Sequence, residues 1–216
     1  WGQSAGRFST SSEAVAAIRA GRGADAVAEC WSGCEWGDVV TRPLGVRGQS
    51  GVYVPEQLLL SYPELRPALQ HWNSSGAKEA LQGAGVRLLG PPRVWEADWN
   101  ASRDLAAAMN LAFETPEDDS DHLSRILLGL RTERPFAFYF WEPHACLANY
   151  PVRRATLPLR ANGGEYFLPV DLVSVWSTRL GNTTAGAVLR VQSWTFTDDR
   201  FNALIAGVAS QVSLRV

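Results

Sequence analysis

Apolar and polar positions along the chain follow two periods, one suited to helices and one to strands. Thr10-Ser11-Ser12-Glu13 reads as a capping box, with Thr10 at the N-cap and Glu13 three residues on. Val15, Ile18 and nearby alanines give the helix that follows an apolar face, and Gly21 and Gly23 stop it. Residues 24–31 read as a short strand, 38–44 as an extended segment and 45–51 as a glycine-punctuated crossing. Val52-Tyr53-Val54-Pro55 is a strand ended by its proline. Residues 56–62 are predicted helical, followed by a corner between Pro63 and Pro67. A short helix over 68–82 is interrupted around Asn73-Ser74-Ser75-Gly76. Residues 86–89 form a short strand broken by Gly90-Pro91-Pro92. Alanines predict a helix over 102–111, and a further helix runs over 120–130. Phe136-Ala137-Phe138-Tyr139-Phe140-Trp141 is the clearest buried strand, closed by Pro143. Strand and turn signals mix over 166–176, residues 183–191 read as helical, and Thr197-Asp198-Asp199 caps a last helix ending near Ser210. Strands and helices alternate throughout, which argues an α/β architecture without internal repeats.

Composition narrows the function. The 216 residues suit one large domain or two associated lobes, and 46% apolar content is enough for a real core. The formal net charge is -2, with no basic block, which argues against a nucleic-acid binder held by phosphate contacts. No apolar run is long enough to span a membrane. The chain opens on Trp1 without a signal-like prefix, so a processed product or a segment of something longer is expected. There is no C-x-x-C pair, and His71, His122 and His144 are widely spaced, which argues against a metal site. Cys30 and Cys34 either bridge locally, in an exported chain, or lie free and buried with Cys146. Asp118-Asp119-Ser120-Asp121 lacks the glycine turn and distal glutamate of a calcium loop and reads as a solvated helix start. No nucleophile elbow, zinc-protease motif, phosphate loop or dinucleotide fingerprint occurs, so no catalytic residue, cofactor or enzymatic activity is expected. Sequons at Asn73, Asn100 and Asn182 are candidate glycosylation sites and suggest a secreted chain. Nine tryptophans invite a search for an aromatic site.

Four local patterns fall in a telling order. They are Asp25-x-x-x-Glu29-x-Trp31 after a helix and glycine; Gly51-Val52-Tyr53-Val54-Pro55; Phe138-Tyr139-Phe140-Trp141-Glu142-Pro143-His144; and 193–202, Ser-Trp-Thr-Phe-Thr-Asp-Asp-Arg-Phe-Asn. Together they resemble the substrate-binding proteins of glycine betaine, choline and proline betaine ABC importers, over most of the chain from Thr10 onward. The resemblance implies a two-lobed, type II periplasmic-binding-protein fold, lobe one formed by residues 1–51 and 165–216 and lobe two by 52–164. It also implies a quaternary ammonium held in an aromatic cage by cation–π attraction. Trp31 and Trp141 match the cage tryptophans of the two lobes. Tyr53 matches an aromatic of the choline binders, and His144 a histidine that hydrogen-bonds a ligand carboxylate. Trp95, Trp99 and Asn100 fall where the second lobe presents its inner loop. Trp36, Trp72, Trp176 and Trp194 are assigned to packing, and Glu142 to a solvated or hinge position.

Only nine residues precede Thr10, where the family has a further strand and helix, so lobe one is expected to be incomplete. Two functions follow. The first is an extracellular, cell-surface or periplasmic binding domain for a glycine betaine or choline type ligand, serving a membrane permease or a receptor. The second is a ligand-free interaction module derived from such a domain, with a larger extracellular assembly covering lobe one.

Overall fold

The computed structural model describes residues 11–22, 26–31, 34, 37–132, 135–142, 144, 147 and 150–179. Thr10, Trp36, Cys146, Asn182, Trp194 and the two helices expected after residue 182 lie outside the described residues. The chain divides into two compact units, one holding residues up to Gly48 and from Pro169, the other Gln49–Leu168.

The first unit begins with α1 (Ser11–Ala20), which turns Ala14, Val15 and Ile18 inward at helical spacing. A paired closure ends it: the Gly21 N–H donates to the Ile18 carbonyl and the Arg22 N–H to the Ala17 carbonyl. β1 (Ala26–Cys30) follows, and then the long β2 (Val39–Pro55). β7 (Val170–Ser177) lies between β1 and the first part of β2 and is antiparallel to both. Val15 and Ile18 pack with Cys30, Cys34 and Val175 to form the core under α1. Cys30 and Cys34 are joined by a disulfide. The Arg19 guanidinium donates to both Asp38 carboxylate oxygens at 2.8 Å, on the surface.

The second unit carries α2 (Glu56–Ser61), a 3-10 turn (Pro63–Leu65), α3 (Arg66–Gln70), α4 (Ala77–Gly83), β3 (Arg87–Leu89), α5 (Glu96–Met109), β4 (Ala112–Glu114), α6 (Asp119–Leu130), β5 (Phe136–Glu142) and β6 (Val152–Arg154). Its sheet runs β4-β3-β5-β2, with β6 also on β2. β4, β3 and β5 are parallel, while β2 runs antiparallel to β5. Residues 136–140 are buried without interruption, because β5 sits centrally between β2 and β3 and is covered on both faces.

β2 differs from the sequence expectation. The glycine-punctuated crossing over 45–51 is itself strand: residues up to Gly48 pair with β7 and Gln49 to Tyr53 pair with β5. The register slips between Pro43 and Arg47, where Gly45 takes φ +76°, a left-handed conformation that glycine adopts without strain. The Asp118 carboxylate caps α6 by accepting from the Asp121 N–H at 2.8 Å, and Asp121 pairs with Arg125 one turn on. The acidic run is therefore a helix start. Trp72 and Trp176 are buried packing residues. No helix among the described residues is long and apolar enough to cross a membrane.

Candidate functional site

The parallel strands of the second unit place chemistry by their connections. From β3 the chain passes through α5 out to β4, then through α6 back past β3 to β5. The carboxyl ends of β3 and β5 are thus where successive connections diverge, the position at which open α/β sheets bind ligands.

Two segments meet there. After β3, Gly90-Pro91-Pro92 is buried and leads to Trp95, whose N–H donates to the Pro92 carbonyl as α5 begins. Gly90 is required by a close approach, since a Cβ would collide with the Phe113 ring. After the apolar run of β5 come Trp141 and His144. The Trp95 and Trp141 rings meet at 79° with centroids 4.8 Å apart. His144 lies edge-on to Trp141 at 5.0 Å and to Phe140 at 4.8 Å. Tyr139 flanks both tryptophans at 6.1 and 6.4 Å, and His122 reaches Trp95 from the first turn of α6 at 6.1 Å. Trp95, Trp141 and His144 are all half-buried.

Burial sets the electrostatics of this cluster. It lowers the pKa of His122 from 6.5 to about 4, a hydrogen bond to the Tyr139 backbone opposing it, and lowers that of His144 as well. Both imidazoles are therefore neutral at pH 7. Asp98 lies one turn after Trp95 on α5. Burial raises its pKa, and a hydrogen bond from the Tyr139 hydroxyl works against the rise. That hydroxyl also shares a 3.0 Å hydrogen bond with the Ser50 hydroxyl, whose backbone is paired opposite Trp141.

The other residues singled out from sequence are distributed elsewhere. Trp31 belongs to the first unit, where its ring lies over Gly48 and packs on Leu44, Val46 and Leu172. Tyr53 is 1% exposed and stacks on Phe138 at 6.1 Å in the core of the second unit. Its hydroxyl is buried without a hydrogen-bond partner among the described residues, and burial raises its pKa, helped by the nearby Glu142 charge. Trp99 carries the guanidinium groups of Arg93 and Arg103 over its ring, at 4.8 and 4.9 Å, and its indole N–H donates to Thr115 Oγ1. Asn100 is half-buried in the middle of α5, whereas Asn73 is exposed in a turn and Glu142 is exposed. The sequence reading missed Asp98, His122 and Tyr139. The available signal was the acidic pair Glu96 and Asp98, which marks a helix start right after Trp95.

No protein-family model matches the chain, and no curated protein sequence matches it significantly. Solved structures do. The glycine betaine/L-proline-binding protein ProX of Borrelia burgdorferi aligns with TM-score 0.62 and 15% identity, over 95% of this chain and 74% of that one. The fold is that of the type II periplasmic binding proteins. Lactococcal OpuAC, closed and complexed with glycine betaine, aligns with TM-score 0.58 and 12% identity over 92% of this chain and 75% of its own. An ABC-transporter choline binding protein in complex with choline aligns with TM-score 0.58 and 13% identity, over 93% and 71%. The resemblance expected from the four sequence patterns thus holds at the level of the fold. Two of these three are named as binding proteins of ABC transporters, and the third is seen with glycine betaine bound.

Proposed function

We propose that the chain is a non-catalytic binding domain for a small quaternary ammonium compound of the glycine betaine or choline type, with the ligand seated on Trp95, Trp141 and His144. The observation that carries this reading is the Trp95–Trp141 pair, two half-buried rings at near right angles where β3 and β5 end. A methylated ammonium cannot donate hydrogen bonds, so aromatic faces must replace its water. Each desolvated face contributes about 0.5–2 kcal/mol. The structures of the same fold with choline and with glycine betaine support that ligand class.

Delivery of the ligand to a membrane permease follows from the same reading. The Cys30–Cys34 disulfide supports an oxidising, extracellular or periplasmic location. Asn73, exposed in its turn, is better presented to modifying enzymes than half-buried Asn100. Titration calorimetry with choline and glycine betaine tests the function: saturable binding is expected for at least one of them. Absence of saturable binding to any quaternary ammonium overturns it and favours a ligand-free interaction module.

A further inference from the structure

A seat for a quaternary ammonium is sensitive to any positive charge that the protein itself places beside the rings. His144 is where such a charge arises. Its imidazole lies edge-on to the Trp141 ring, with centroids 5.0 Å apart, and to the Phe140 ring at 4.8 Å. Trp141 in turn meets Trp95 at 4.8 Å. The histidine therefore touches one of the two rings that carry the functional reading. It is also anchored: its backbone carbonyl accepts from the Leu147 N–H at 3.1 Å, and Leu147 packs on the core of the second unit.

Burial lowers the pKa of this imidazole from 6.5, so the ring is neutral at pH 7 and takes up its proton only in acid solution. Neutral, it adds an aromatic edge to the cluster. Protonated, it is a cation against Trp141. An imidazolium draws on the same π electrons that hold an ammonium. It also repels that ammonium across a half-buried site, where water screens poorly. On β5, burial pushes the Tyr139 hydroxyl well above the usual phenol range, so it stays uncharged, and Glu142 is exposed. On α6, His122 lies against Phe140 and Trp95 and stays neutral until about pH 4, while Asp121 pairs with Arg125. Before and along α5, Arg93 lies over Trp99, Glu96 is exposed, and burial raises the pKa of Asp98. From β2, Ser50 offers Tyr139 an uncharged hydroxyl.

We propose that His144 makes ligand binding pH-sensitive: the seat holds a quaternary ammonium while this imidazole is neutral and releases it when the imidazole is protonated. This rests on the reading of Trp95, Trp141 and His144 as the ligand seat. The test is titration calorimetry of the whole chain with choline chloride and with glycine betaine, from about pH 7.5 to about pH 4.5, a span that brackets an imidazole. The proteins are the wild type, His144→Gln and His144→Phe, and thermal melts at each pH restrict the comparison to folded protein. For each compound bound at the upper pH, wild-type affinity is expected to fall by about threefold or more at the lower, as the neutral fraction shrinks. Both variants are expected to lose this dependence, whatever their affinity at the upper pH. An affinity that stays level or rises with acid, for either compound, overturns the switch and leaves the seat standing. A dependence that persists in a folded variant does the same. Saturable binding of neither compound at the upper pH overturns the seat, and the switch with it.

Discussion

The Ser50 hydroxyl on β2 and the Tyr139 hydroxyl on β5 share a buried hydrogen bond of 3.0 Å. It ties the strand opposite Trp141 to the strand that carries Trp141. Ser50→Ala leaves the phenol short of one partner in a dry environment. A loss of about 1 kcal/mol in unfolding free energy is expected, measured by urea denaturation. Tyr139→Phe removes the same bond and leaves the Ser50 hydroxyl short of its partner, so it is expected to cost about as much. Stability equal to wild type in both variants would show that water satisfies these groups.

Trp95 and Trp141 are expected to act as a unit. Either alanine substitution should weaken a quaternary ammonium by about 1–2 kcal/mol, one cation–π face each. Because the rings touch, the double variant should lose less than the sum of the singles. Calorimetric titration of the four proteins measures this, and Trp141→Ala with unchanged affinity would remove that ring from the site.

Acid should destabilise the second unit. His122 is 1% exposed and burial holds its pKa near 4, whereas in the unfolded chain it titrates near 6.5. Between these values the unfolded chain binds more protons, so stability is complete above pH 6.5 and falls as the pH drops. From pH 7 to pH 5 the loss from this residue is roughly 2 kcal/mol. His144 acts in the same direction and Asp98, with its raised pKa, against it. Urea titrations at both pH values should give a flatter profile for His122→Phe than for the wild type; parallel profiles would assign the acid sensitivity to other groups.

Reduction should be felt in the first unit. The Cys30–Cys34 bridge closes a very short loop beside Val15, Ile18 and Val175. Loop-closure entropy for a ring of that size is worth about 2 kcal/mol. Cys30→Ala combined with Cys34→Ala should lower the melting temperature, and a reducing agent should reproduce the shift in the wild type but not in the variant.

Gly90→Ala should cost about 1–3 kcal/mol, because the added methyl enters the space of the Phe113 ring. Phe113→Leu in the same chain should recover part of the loss, as judged from chemical denaturation.

Much of the fold is legible from local pattern. The unbroken run in β5 reads as a strand because it is buried on both faces, and Gly21 marks the end of α1 because helix closure needs that conformation. What the sequence obscures has a tertiary cause. Pro43, Gly45, Gly48 and Gly51 each weaken a strand locally, yet the ladders to β7 and β5 hold them in β2. β4 and β6 are three residues each, too short for any period to register. The start of α5 was expected at Ser102, on the strength of its alanines, but the helix begins at Glu96. That displacement hid Asp98. The meeting of Asp98, His122 and Tyr139 depends on three separate elements converging, which no spacing along the chain encodes. Trp141 and His144 could be singled out because they close the apolar run of β5, and Trp95 because the family resemblance places it on an inner loop.

The central position of β5 also bears on how the chain is made. Phe136 to Trp141 is an uncharged, β-prone aromatic stretch of the kind that seeds intermolecular stacking when left unpaired. Both of its sheet neighbours, β2 and β3, precede it in the chain. During synthesis the slot it fills has therefore left the ribosome before the stretch itself emerges. Its order in the chain guards the nascent protein against aggregation, and a circular permutation that moved β5 ahead of β2 would remove that protection.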